Sequence, residues 1–103
     1  MATDIINATD SDFSDVTSSG TVLVDFWAPW CGPCRMQGEI LHELAEKLDD
    51  SAKIVKVNVD EAQQVAAKYG VRSIPTLIVL KDGENVKQFV GVQDATTLQN
   101  ALA

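Results

Sequence analysis

Cys31 and Cys34 are the only cysteines in the chain, and they stand in the stretch Trp27-Ala28-Pro29-Trp30-Cys31-Gly32-Pro33-Cys34-Arg35. Two intervening residues put the sulfurs about one helical turn apart on one face, close enough to bridge if that turn opens a helix. Gly32 allows a tight entry, and Pro33 suits the first helical position, where its missing N–H would have had no partner. Cys31 is thereby placed at a helix N-terminus, where unpaired amides and the positive end of the helix dipole favour a thiolate and lower the thiol pKa from about 8.5. This reading makes Cys31 the nucleophile and Cys34 the resolving thiol of a reversible disulfide.

Three other uses of the pair compete. Closed tetrahedral zinc needs about four protein ligands, and beyond the thiols the chain offers a single histidine, His42. A purely structural disulfide across so short a loop would constrain little of the unfolded chain. Two inert buried thiols would sit oddly among Gly, Pro and Trp, which suit a surface turn.

A second chemical anomaly lies just upstream. Thr21 to Trp27 is a β-branched and aromatic run of the kind that fills a central strand covered on both faces, yet it contains Asp25. Desolvation there would raise its carboxyl pKa toward the range useful for proton exchange. Asp25 is therefore the candidate base for Cys34, which must lose a proton before it can attack.

The elements that position these groups follow from periodicity. Thr9 to Asp12 offers helix caps before a short helix to about Thr17. After the cysteine turn, Met36, Ile40, Leu41, Leu44, Ala45 and Leu48 recur at helical spacing, predicting a long amphipathic helix from about Pro33 to Leu48 with Met36 as core filler and His42 on the solvated side. Lys53 to Val59 alternates as a strand. Asp60 with Gln63 reads as a capping box for a helix ending at Gly70. Thr76 to Leu80 and Asn85 to Val90 flank Asp82-Gly83, a hairpin signal, and Asp94 caps a last helix with Leu98, Ala101 and Leu102 inward. The order implies an α/β fold with a mixed sheet and helices on both faces.

The chain resembles the thioredoxin family. Trp30-Cys31-Gly32-Pro33-Cys34 matches that family's active-site motif, Val24-Asp25-Phe26-Trp27 its approach strand, and Val57-Asn58-Val59-Asp60, Tyr69-Gly70-Val71, Ile74-Pro75-Thr76 and Gly91-Val92 follow in the family's order. The resemblance implies the thioredoxin fold, a central mixed five-stranded sheet flanked by four helices, as a single domain over residues 1–103. It implies a protein-disulfide reductase with no bound cofactor, whose redox-active centre is the Cys31–Cys34 disulfide. Disulfide-containing proteins would be its substrates, and an NADPH-dependent flavoprotein thioredoxin reductase its electron donor, since the chain has no dinucleotide or phosphate-loop fingerprint of its own. Asp25 matches the family's buried aspartate and Lys56 a lysine that tunes it by charge. Gly32 and Pro33 resemble the spacer of the reducing branch. Trp30, Gly32, Pro33, Ile74, Pro75, Gly91 and Val92 resemble the apolar rim that binds substrate, with Ile74-Pro75 as a cis peptide. The alternative is a redox-inert module that docks partners on the same rim.

One departure stands out. Five residues after the second cysteine the family usually carries a proline that kinks the long helix, whereas this chain has Gly38-Glu39. Proline inside a helix costs about 3 kcal/mol, so Glu39 should leave the helix continuous.

Composition bounds the rest. Length and a 46% hydrophobic content fit one compact domain. A net charge of -7 works against nucleic acid and anionic membranes as partners. Apolar runs fall far short of the about 20 residues a membrane span needs. Met1-Ala2-Thr3-Asp4 carries neither a basic segment nor an apolar stretch, which predicts a cytoplasmic protein, and a monomer is expected.

Overall fold

The structure is a computed structural model that describes residues 3–103; Met1 and Ala2, on which the reading of the N-terminus partly rests, lie outside the described residues. In chain order the elements are β1 (Ile5–Ala8), α1 (Phe13–Thr17), β2 (Thr21–Trp27), α2 (Gly32–Leu48), β3 (Lys53–Asn58), α3 (Gln63–Lys68), β4 (Thr76–Lys81), β5 (Glu84–Val90) and α4 (Ala95–Leu102). The strands form one five-stranded sheet in the order β1-β3-β2-β4-β5. β1, β3 and β2 run parallel, while β4 is antiparallel to β2 and β5 to β4. The expected mixed sheet is thus present.

β2 is central, and its alternating side chains divide the core. Val22, Val24 and Phe26 face α1 and α3, packing with Phe13, Ala62, Val65 and Ala66. Leu23 faces α2 and α4, packing with Leu41, Leu44, Leu48, Leu98 and Leu102. Period-2 alternation on a strand buried on both faces accounts for the unbroken apolar run in the sequence. The β4–β5 hairpin closes through Asp82-Gly83, with Lys81 opposite Glu84. Both turn residues have positive φ, 50° and 83°, the requirement that makes Asp-Gly a hairpin signal.

α2 runs without interruption through Gly38 and Glu39 to Leu48, as the absence of proline predicts. Its inward row is Cys34, Gln37, Leu41, Leu44, Ala45 and Leu48. Met36 is not core filler: it is 58% exposed, and the inward position beside it belongs to Gln37. Hydrophobicity alone assigned Met36 inward, but it lies off the row that continues from Cys34 at three- and four-residue steps.

The N-terminus of α3 is a second correction. Asp60 does not cap it; the cap residue is Ala62, and Asp60 instead accepts a hydrogen bond from Trp30 Nε1 at 3.0 Å. Asp10, on the connection after β1, reaches across and accepts from Val65 N at 2.9 Å. That carboxylate does what a local cap would do, satisfying a first-turn N–H and opposing the helix dipole. Asp94 does cap α4, accepting from Thr97 N at 2.8 Å.

Asp10→Ala should therefore lower the unfolding free energy by about 1 kcal/mol, the usual value of an N-terminal cap. Asp60→Ala should leave α3 less affected than Asp10→Ala does. Urea denaturation of both variants checks this, and a larger loss from Asp60→Ala would restore the local cap.

Candidate functional site

β2 ends at Trp27, and the chain turns through Ala28, Pro29 and Trp30 before α2 begins at Gly32. Cys31 is the N-cap of α2, in extended conformation with φ -93° and ψ 110°, and Pro33 occupies the first turn. Cys31 and Cys34 are disulfide-bonded, their Cα atoms 5.2 Å apart. The Cys34 N–H donates to Cys31 Sγ at 3.2 Å, so the sulfur serves as the capping acceptor. A thiolate there would gain from the same N–H and from the helix dipole. Cys31 is 5% exposed and Cys34 3%. Exposure therefore hardly separates the two sulfurs in the bonded pair; the cap position of Cys31 does.

Ile74–Pro75 is cis, as the resemblance implied. Its carbonyl side faces the pair, with Ile74 O 3.8 Å from Cys31 Sγ. Around the sulfurs, Trp30 is 69% exposed, Gly32 and Pro33 are exposed, and Ile74, Gly91 and Val92 are half-buried. Pro75 is buried, so its side chain presents no surface beside the sulfurs. Gly91 N donates to Pro75 O at 2.8 Å, and Gly91 has φ 93°, which a side chain would strain.

Asp25 is fully buried, and neither carboxylate oxygen has a hydrogen-bond partner. Its register neighbour on β3 is Lys56. Burial pushes the carboxyl pKa up to about 7, and the Lys56 charge offsets part of that rise. Lys56 Nζ lies 4.4 Å from the Trp27 ring centroid, a cation–π contact, and a methyl group on Gly38 would meet it at 3.6 Å. Lys56, Trp27, Cys34, Gly38 and Glu39 line one groove of about 520 Å³ on the α2 side. Lys56 and Cys34 thus share that groove, and Asp25 stands opposite Lys56 in the β2–β3 register. His42 is exposed at the edge of that groove. Among the described residues, no group of three or more His, Cys, Asp or Glu could hold a metal ion, and no helix is long and apolar enough to cross a membrane.

Gln37 was missed by sequence reasoning. It is fully buried and pairs with the backbone of Gln93, accepting from its N–H at 2.7 Å and donating to its carbonyl at 3.1 Å. The signal was available, since a glutamine three residues after Cys34 falls on the inward row.

Comparison with known proteins agrees with this geometry. The family model described as Thioredoxin matches residues 4–103. The chain is 58% identical to the thioredoxin of Bacillus subtilis over 98 residues, covering 95% of this chain and 94% of that one. It is 53% identical to thioredoxin 1 of Synechococcus elongatus, covering 91% and 90%. Among solved structures, a mutant thioredoxin from Halobacterium salinarum superposes with a TM-score of 0.88 at 40% identity, covering 99% of this chain and 92% of that one. The chain belongs to the thioredoxin family, and its Cys31–Cys34 pair is the redox centre of a thiol–disulfide oxidoreductase that reduces disulfides in partner proteins.

Proposed function

We propose that Cys31 attacks and Cys34 resolves. The observation that carries this assignment is the cap geometry, with Cys31 Sγ accepting the Cys34 N–H at the start of α2. In the reduced protein the Cys31 thiolate attacks one sulfur of a substrate disulfide, forming a mixed disulfide and expelling the other substrate sulfur as thiolate. Cys34 then loses its proton and attacks Cys31 Sγ, releasing the second substrate thiolate. Two electrons pass to the substrate, and the protein is left with the Cys31–Cys34 disulfide.

Asp25 is the proton acceptor for Cys34. A carboxyl with its pKa raised to about 7 is poised to take and return a proton near neutral pH. Lys56 tunes it, because its charge favours the carboxylate and works against the desolvation. Gly32 and Pro33 set the redox balance of the pair through the geometry of the turn. Trp30, Ile74, Pro75, Gly91 and Val92 bind substrate, the apolar side chains by contact and the Ile74 backbone, ahead of the cis bond to Pro75, by pairing with an extended segment.

The family match supports the rest of this reading. The chain acts as one domain over residues 1–103 and as a monomer in the cytoplasm. An NADPH-dependent flavoprotein thioredoxin reductase returns its electrons, and nucleic acid and membranes are not partners of a chain with net charge -7.

Two measurements test the site. Brief iodoacetamide treatment of the reduced protein near neutral pH should label Cys31 well before Cys34, and Cys34→Ser should trap a mixed disulfide with substrate through Cys31. Peptide mapping decides both; faster labelling of Cys34 would reverse the roles, and docking without any mixed disulfide would favour the redox-inert module.

Asp25→Asn should slow the resolving step and change how stability depends on pH. Between the unfolded carboxyl pKa near 3.8 and the folded value near 7, the native state holds a proton that the unfolded state has lost, so stability falls as pH rises through that window. Asn lacks this loss. The variant should be about 4 kcal/mol more stable than the parent above pH 7, with the gain shrinking toward pH 4. Denaturation at both pH values checks it, and an equal difference at both would mean that Asp25 does not titrate in this way.

A further inference from the structure

The connection from β5 to α4, Gly91 to Asp94, carries two of the rim residues, and it is held to the rest of the molecule by a chain of polar contacts. Gly91 N donates to Pro75 O at 2.8 Å. The Gln93 side chain folds back, its Nε2 3.3 Å from Gly91 O. Gln93 N and Gln93 O are then both taken by one side chain, Gln37, at 2.7 and 3.1 Å. Asp94 finally caps α4 through Thr97 N. Gln37 stands one helical turn beyond Cys34 and is fully buried, so no water competes for its amide.

From this arrangement we infer that Gln37 is a positioning residue for substrate recognition, clamping the Gly91–Gln93 segment to the helix that carries the cysteines. The chemistry selects the residue type. Both a donor and an acceptor are needed to pair with one residue's N–H and C=O, and among side chains of this length a neutral primary amide presents both. An aliphatic residue would fill the space and leave two backbone groups of the half-buried Gln93 without this partner; a carboxylate would hold the N–H and repel the carbonyl. Because Gln37 and Cys34 share one rigid helix, the clamp fixes how far Gly91 and Val92 stand from the reactive sulfurs. A protein substrate lying across the rim must touch both. A small disulfide needs only the sulfur.

The inference rests on Gly91 and Val92 being part of the substrate rim, so the experiment tests the two separately. Pre-reduced protein is mixed with increasing insulin, and the half-saturating concentration and plateau rate of disulfide exchange are read; dithiobis(nitrobenzoate) serves as the small disulfide. Gln37→Leu should raise the half-saturating insulin concentration about tenfold, the order expected when both hydrogen bonds to Gln93 are lost, with little change in plateau rate or in the small-disulfide reaction. Amide exchange at Gln93 should quicken by a similar factor. Val92→Asp, which alters the rim directly, should also weaken insulin binding.

If Val92→Asp weakens it and Gln37→Leu does not, the clamp is overturned and the rim stands. If Val92→Asp has no effect, the rim reading falls and the clamp's role falls with it. Equal slowing of insulin and the small disulfide by Gln37→Leu would mean a general structural defect and would also overturn the inference. Should the leucine variant fail to fold, Gln37→Glu keeps the acceptor for Gln93 N–H, and its half-saturating concentration should rise less than tenfold yet measurably; no rise would be overturning.

Discussion

A carboxyl group with no hydrogen-bond partner lies in the middle of the central strand, and the packing on both faces of β2 is what removes it from water. Leaving such a group in water would avoid a large desolvation penalty. The fold accepts the penalty because every neighbouring position on β2 contributes apolar burial: Val22, Leu23, Val24 and Phe26 are all fully buried. The result is a carboxyl whose pKa is raised by the core around it. Lys56 is the charge that offsets the burial. Its ammonium reaches the α2 side of the sheet between the Trp27 ring and Gly38. A glycine inside a helix costs about 1 kcal/mol relative to alanine, and here a methyl group in its place would come into van der Waals contact with the ammonium.

The same strand determines where the sulfurs stand. β2 delivers the chain to one end of the sheet, where α2 starts with a cysteine in the place that Ser, Asp or Asn commonly fills. A side-chain acceptor is favoured at that position, and here one sulfur supplies it, in the place where a thiolate would also be favoured. The uninterrupted run of α2 through Glu39 then couples this cap to the hydrophobic row ending at Leu48, so the cysteine turn is anchored by the core along one continuous helix.

Most of this was legible in the sequence, and the exceptions share a cause. The strands, the hairpin turn, the cap at Asp94 and the long helix all depend on residues near each other in the chain, where periodicity and turn chemistry act directly. Asp60 and Asp10 show what that logic misses. Asp60 stands where a local cap should be, yet its carboxylate pairs with Trp30, while Asp10 caps α3 from 55 residues earlier in the chain. Both pairings are decided by tertiary proximity. Gln37 fails differently: its position was readable as inward, but a hydrophobicity pattern favours Met36 and passes over an amide whose partner, the Gln93 backbone, has no sequence signature.

The rim around the sulfurs illustrates how topology supplies what motifs cannot. Cys31, Pro75 and Gly91 are far apart in the chain, and each follows or precedes a different strand. They meet because β4 runs antiparallel to β2, which brings its first residue, Thr76, opposite Phe26 near the end of β2. The tight hairpin then returns β5 so that its last residue, Val90, lies opposite that same Thr76. One antiparallel pairing and one two-residue turn therefore place the ends of three connections at a single edge of the sheet. Were β4 parallel to β2, its start would lie at the opposite end, and neither Ile74 nor Gly91 could approach the cysteines. The change from parallel to antiparallel midway through the sheet is thus a condition for assembling the site, which gives a physical reason for a mixed sheet in this fold.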